Sequence, residues 1–287
     1  MTEPTSGSAT VRRMLVGARL RRLREEKGIS RADAGYTIRA SESKMSRLEL
    51  GRVSFKERDV SDLLMFYGVT DPEERDSLLG LVQEANRPGW WSEYDDVMPS
   101  WFQNYVGLEE AAKILRIYET HFVPGLLQTP EYARAVMSAA IPPPSPRDLE
   151  RGVTLRMSRQ QVLRRRDPVR VWAVVDETAL RREVGGPAVH RAQLEHLLEL
   201  TQAPNVALQV LPLRTGLHAA GAGPFTILRF GDSDLPDVVY VEQLVSALYL
   251  DKLEHVERYT EVMNRLSVRS LTPEATSDFI SKLLVES

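Results

Sequence analysis

Cysteine is missing from all 287 residues. That absence excludes a disulfide framework and any thiolate metal site, and it suits a reducing cytosol. Long apolar runs are missing too. No window approaches the length of a membrane span, and the opening stretch MTEPTSGSATVRR lacks the apolar core of a secretory signal. Residues 1–13 therefore read as a disordered tail.

Catalytic signatures are equally scarce. Neither G-x-S-x-G nor a P-loop pattern occurs. His190 and His196 stand six apart, the wrong spacing for two ligands on one helical face. The Gly-rich stretch GLHAAGAGP, 216–224, precedes a β-prone run and reads as a loop. Asp176 and Glu177, adjacent acids after a β-prone run, read as a helix cap. No catalytic, cofactor or metal site is assigned, and an enzyme is not expected.

Net positive charge is lacking overall, at −3, but the distribution is uneven. Residues 1–70 hold 14 Lys+Arg against 9 Asp+Glu, a net of +5; the remainder holds 23 against 31, a net of −8. The N-terminal part can face a polyanion while the rest keeps the whole chain soluble.

In that basic part, LVGARLRRLREEK at 15–27 puts Val16, Leu20 and Leu23 on one helical face, and its arginines read as a mostly solvated face. Gly28 ends the helix. Ser30 is an N-cap with Asp33 at the capping-box position, opening a second helix that buries Ala34 and Ile38. Gly35 inside it costs about 1 kcal/mol relative to alanine, which suggests a close approach by another helix. After a short turn at Arg39-Ala40, Ser41 caps a third helix. Met45 and Leu48 face inward there, while Glu42, Ser43, Lys44, Ser46 and Arg47 face outward. Glu49 is expected to pair with an arginine. Further helices follow at about 56–67, with Val60, Leu63, Leu64 and Tyr67 inside, and from Asp71-Pro72. Two short helices joined by a tight turn form a helix-turn-helix pattern. A third helix so thinly apolar makes sense if its polar side enters a major groove.

The stretch GARLRRLREEKGISRADAGYTIRASESKMSRLELGR resembles the lambda-repressor-like helix-turn-helix domain of the XRE family, over about residues 14–70. The resemblance implies a five-helix domain that binds double-stranded DNA. Arg31 falls where the second helix begins and touches phosphate or base; Glu42, Ser43 and Arg47 fall at base-reading positions. Lys44 and Ser46 are candidate phosphate contacts. A guanidinium such as that of Arg47 can grip guanine O6 and N7 together, a contact that discriminates by roughly 1–3 kcal/mol.

Beyond residue 86 the pattern changes. NRPGWWSEYDDVMPSWFQNYVGLE reads as an ordered connection, 87–103, docked on a second domain; Trp90, Trp91 and Trp101 as an exposed ligand site are the alternative. A long basic helix is expected at about 147–166, its arginines Arg151, Arg156, Arg159, Arg164, Arg165 and Arg166 either solvated, at an interface, or making a second nucleic-acid contact. VRVWAVVD, VALQVLP, FTILRF and VVYVEQ read as strands, 114–123 reads as a β-prone stretch broken by Pro124-Gly125, and helices are expected near 188–202, 251–267 and 273–285. The mixture predicts a multidomain chain: an all-α domain at 14–86, then an α+β domain at 104–287.

HFVPGLLQTPEYARA, RRDPVRVWAVVDETALRREVGGP and the Asn205–Pro212 strand resemble the large uncharacterised domain of many actinobacterial XRE-type regulators. The resemblance implies a cytoplasmic, nucleoid-associated transcriptional regulator acting as a homodimer, since two such domains read paired half-sites. Regulators of this type are often encoded beside a small partner protein. An antitoxin-like interaction module, or a ligand-responsive sensor in the second domain, are the alternatives.

Overall fold

The computed structural model describes residues 9–231 and 235–286, in two compact units. The first comprises the described residues up to Glu93, with Gln103–Ala111 and Leu235; the second holds the rest.

The first unit is helical: α1 Ala9–Glu26, α2 Arg31–Thr37, α3 Glu42–Glu49, α4 Glu57–Phe66 and α5 Pro72–Ala85. Val16, Leu20 and Leu23 of α1 meet Ala34 and Ile38, Met45 and Leu48, and Val60, Leu63, Leu64 and Tyr67 in one core, closed by Leu78 and Val82 of α5. Apart from Leu78 and Val82, these are the residues whose helical spacing marked them as apolar faces. Asp71 caps α5 through the Glu73 N–H, with Pro72 in the first turn.

Three expectations need correction here. α1 starts at Ala9, inside the stretch read as a disordered tail, because Thr10 and Met14 are buried; residues 1–8 lie outside the described residues. The C-terminal part of α6, Ser100–Ala111, belongs to this unit and not to the second. The connection is likewise shared out. Its 3₁₀ turn Trp90–Tyr94 carries Trp91 into the first unit, where the buried indole covers the α-carbons of Gly89 and Gly107. Trp91 is therefore a packing residue rather than part of an exposed ligand site.

In the second unit a six-stranded sheet runs β3-β2-β1-β4-β5-β6. Its strands are β1 Ile114–Glu119, β2 Arg170–Asp176, β3 Val206–Leu211, β4 Phe225–Arg229, β5 Val238–Glu242 and β6 Ala247–Leu250. β1, β2 and β3 are parallel, joined through helices α7 Pro130–Ser138 and α8 Pro146–Arg159, then α9 Glu177–Arg181 and α10 Pro187–Leu200. β4, β5 and β6 continue antiparallel from β1. Parallel strands need such helical crossovers, whereas antiparallel neighbours need only turns. α11 Leu253–Arg269 lays Val256, Met263 and Leu266 on Tyr118, Val174, Phe225, Ile227 and Val239, and α12 Pro273–Glu286 follows it.

The basic helix stops at Arg159, seven residues early. A 3₁₀ turn Gln160–Leu163 follows, and Asn205 ties the Leu163 carbonyl down. Three of its arginines are committed inside the unit. Arg151 donates to Asp96 at 2.7 Å, Arg156 to Gln128 at 2.6 Å, and buried Arg159 lies 4.9 Å from the Phe102 ring centre. β6 has no counterpart in the sequence reading. Asp176 does cap α9, through the Thr178 N–H at 2.9 Å.

Candidate nucleic-acid interface

The site is built on the α2–turn–α3 unit. Ser30 accepts the Asp33 N–H at 3.1 Å and Ser41 accepts the Lys44 N–H at 3.2 Å, so each short helix starts on its own cap. Between them the chain reverses in four residues. The Ile38 and Ala40 N–H groups both return to the Gly35 carbonyl, at 3.1 and 2.8 Å. Gly35 has no room for a side chain: a Cβ would stand 2.7 Å from the Ala40 carbonyl oxygen. The close approach anticipated at Gly35 is thus made by the turn itself, not by another helix. Arg39 takes φ 55°, the left-handed conformation a β-carbon disfavours.

α3 is set against α1 from the other side. At Gly17 a Cβ would meet the Leu48 and Glu49 carbonyl oxygens at 2.6 and 2.5 Å. That contact, with Met45 and Leu48 buried, fixes which side of α3 looks outward. Glu42, Ser43 and Arg47 are exposed, and Lys44 and Ser46 half-buried. Lys44 Nζ lies 4.0 Å from Asp59 at the start of α4, a loose pairing.

Beneath this surface sits a charged knot. The Glu49 carboxylate is completely buried. Arg24 Nε and a terminal nitrogen, the latter at 3.1 Å, donate to its two oxygens, and Arg31 Nε donates at 2.9 Å. A further Arg24 nitrogen donates to the Ile29 carbonyl at 2.8 Å. Donating to Glu49 raises the Arg24 guanidinium above its ordinary pKa against the opposing effect of burial. Arg24 therefore leaves the solvated face on which helical spacing had placed it: with only 6% of its surface exposed, it is a core residue. Arg31 is split between roles. Its side chain is held by Glu49 but keeps 34% exposure at the head of α2.

Two surface residues beside this face escaped the sequence reading. Tyr36, on the side of α2 opposite Ala34 and Ile38, is 87% exposed, and Arg39 projects from the turn. The periodicity that placed Ala34 and Ile38 inside was enough to place Tyr36 outside. The strain at Arg39 has no sequence signal.

Of the residues singled out from sequence, α3 gathers Glu42, Ser43, Lys44, Ser46 and Arg47 on adjoining positions of one short helix, with Arg31 behind its C-terminal end through Glu49. Among the described residues no group of three or more His, Asp or Glu could hold a metal ion, and no helix is long and apolar enough to cross a membrane.

Two family models match the chain. One, described as a helix-turn-helix domain, covers residues 15–78. The other, a domain of unknown function, covers residues 102–282. Comparison with curated proteins and with solved structures gave no match. Since the second model spans well over half of its length, the chain belongs to the DUF5753 family, and it carries a helix-turn-helix domain ahead of the domain that defines that family.

Proposed function

We propose that the protein is a sequence-specific, DNA-binding transcriptional regulator of the cytoplasm that works as a dimer and reads the major groove with α3. The observation that carries this reading is the division of α3: Met45, Leu48 and Glu49 hold it in the core while Glu42, Ser43 and Arg47 stand exposed on its far side. A helix anchored so sparingly and capped at its N-terminus presents side chains to base edges. In this reading Arg47 grips a guanine edge or a phosphate, Glu42 accepts from a cytosine amine, and Ser43 completes base contact. Lys44 and Ser46 approach the backbone. Arg31, steered by Glu49, offers its outer nitrogens to a phosphate. Two copies bind half-sites about 34–36 Å apart or a multiple of that. No reaction is assigned to the second unit.

The test is selection from random double-stranded DNA, followed by titration of wild type and Arg47→Ala on the enriched site and on single-base changes within it. Arg47→Ala should weaken binding and relax preference at one base pair by about 1–3 kcal/mol. An equal loss on matched and mismatched sites makes Arg47 a phosphate contact only. No binding by the wild-type protein at low salt removes the reading altogether.

A further inference from the structure

The sheet of the second unit treats its two edges differently. At β3 the fold covers its own edge: the Thr276 hydroxyl accepts the Val210 N–H at 3.1 Å, and the Leu271 N–H donates to the Val210 carbonyl at 2.8 Å. At the other end the sheet stops at β6, all of whose residues are half-buried or exposed. The stretch from Gln243 to Leu250, QLVSALYL, has no charge, proline or glycine. Charge and proline are among the devices that ordinarily keep a strand edge from pairing; the one such device β6 retains is its shortness, four residues.

The turn before β6 departs from its local rule as well. Gln243 donates to the Ser246 carbonyl at 2.8 Å, leaving Leu244 and Val245 as a two-residue hairpin loop. Such loops favour Asn, Asp and Gly. Here they hold two apolar side chains, 97% and 81% exposed. Leu248 and Leu253 are exposed nearby. A locally disfavoured choice repeated along one edge points to a partner.

We propose that this edge is the dimer interface: β6 pairs antiparallel with β6 of a second copy about a two-fold axis at Leu248, joining the two sheets into one. A second copy is the occupant the geometry favours. Leu248 stands opposite Val241 in the hairpin register, on the side where Val241 and Leu250 pack against the α11 core layer, so a Leu248–Leu248 contact continues that layer across the axis. The same hairpin alternation turns the main chain of Ala247 away from β5, toward the incoming strand. Centring the pair on Leu248 brings the Leu244-Val245 tip of each copy over the 251–253 segment of the other, so one operation covers Leu244, Val245, Leu248 and Leu253 together. An uncharged strand laid on itself in the opposite sense opposes no like charges. Covering those four residues in both copies removes on the order of 1,000 Å² of surface, at the threshold for a specific interface. The interface gives the proposed regulator its dimer, yet its test requires no DNA, so the two readings can fail separately.

The experiment is the mass of the full chain by analytical ultracentrifugation, without DNA, from micromolar concentration upward. Wild type should be a dimer. Leu248→Lys and Leu248→Glu should each be monomeric, because each sets like charges face to face on the axis, and an equimolar mixture should recover the dimer. Leu244→Lys, at a turn position with no intramolecular packing to lose, should weaken the dimer at least tenfold with an unchanged circular dichroism spectrum. A monomeric wild type overturns the proposal. So does a dimer that survives Leu248→Lys and Leu248→Glu, or a mixture of the two that stays monomeric. A dimer that meets every expectation but ignores DNA leaves the interface standing and removes only the regulator.

Discussion

Replacing Glu49 with alanine tests the logic of the helix-turn-helix unit most severely. The carboxylate is wholly buried and receives two bonds from Arg24 and one from Arg31. Charge-assisted bonds of this kind contribute about 1.5–3 kcal/mol each. Arg31, a third exposed, regains water when its partner goes, so its share is discounted to well under 1 kcal/mol. Arg24 cannot. Held in the core, it keeps the Ile29 carbonyl and, at 3.2 Å, the half-exposed Glu25 carboxylate, and loses the buried counter-charge that met it with two bonds. Losing one partner of a buried pair costs about 3–5 kcal/mol, and the Glu25 contact that remains puts the figure at the lower end of that range. For a small domain each kcal/mol moves the midpoint by about 4–8 °C. Calorimetry of the full chain should show the transition of the first unit falling by 12 °C or more. Amide exchange in α3 identifies which transition that is. Arg24→Met combined with Glu49→Met should recover most of the loss, since removing both charges removes the penalty. A single Glu49→Ala variant that loses under about 1 kcal/mol would refute the reasoning, and so would a double variant no more stable than the single.

Other positions give further tests. Arg39→Gly relieves the left-handed turn residue and should raise the stability of the first unit by about 1 kcal/mol in chemical denaturation; a loss there means that the arginine side chain makes a compensating contact. Gly17→Ala gains helix propensity worth about 1 kcal/mol but forces a methyl group onto the backbone carbonyls of α3. The clash should win, with a net loss of about 1 kcal/mol or more by the same assay. Burial, and then the nearby Glu242, push the Glu119 carboxyl up to about 8. A raised folded-state value means that the native state holds the proton more tightly than the unfolded chain. Stability of the second unit is therefore fullest below the ordinary carboxyl value and should fall as pH climbs from there through about 8. Glu119→Gln should flatten that dependence, and an unchanged slope assigns it to another group.

Much of the first unit was legible because its information is local. Caps at Ser30, Ser41 and Asp71 are hydrogen bonds between residues two or three apart, and the inward residues of α1 to α4 repeat at helical spacing. The outward set of α3 follows from the same periodicity. In the second unit β1 to β5 could be recognised from their apolar runs, but β6, four residues long after a turn without turn residues, could not.

What the sequence determined by itself is therefore which stretches are helix or strand and which side of each is apolar, because both depend on neighbours along the chain. Tertiary structure alone decided which charges are spent inside the molecule. Arg24, Arg151, Arg156 and Arg159 look solvent-bound on their own helices, and only the arrival of Glu49, Asp96, Gln128 and Phe102 from 25 to 57 positions away commits them. The same holds for the sheet edges. Nothing in the run of residues tells that β3 is covered by the chain's own C-terminal part while β6 is left at the margin, since strand order is set by long-range pairing and not by any residue's own preference.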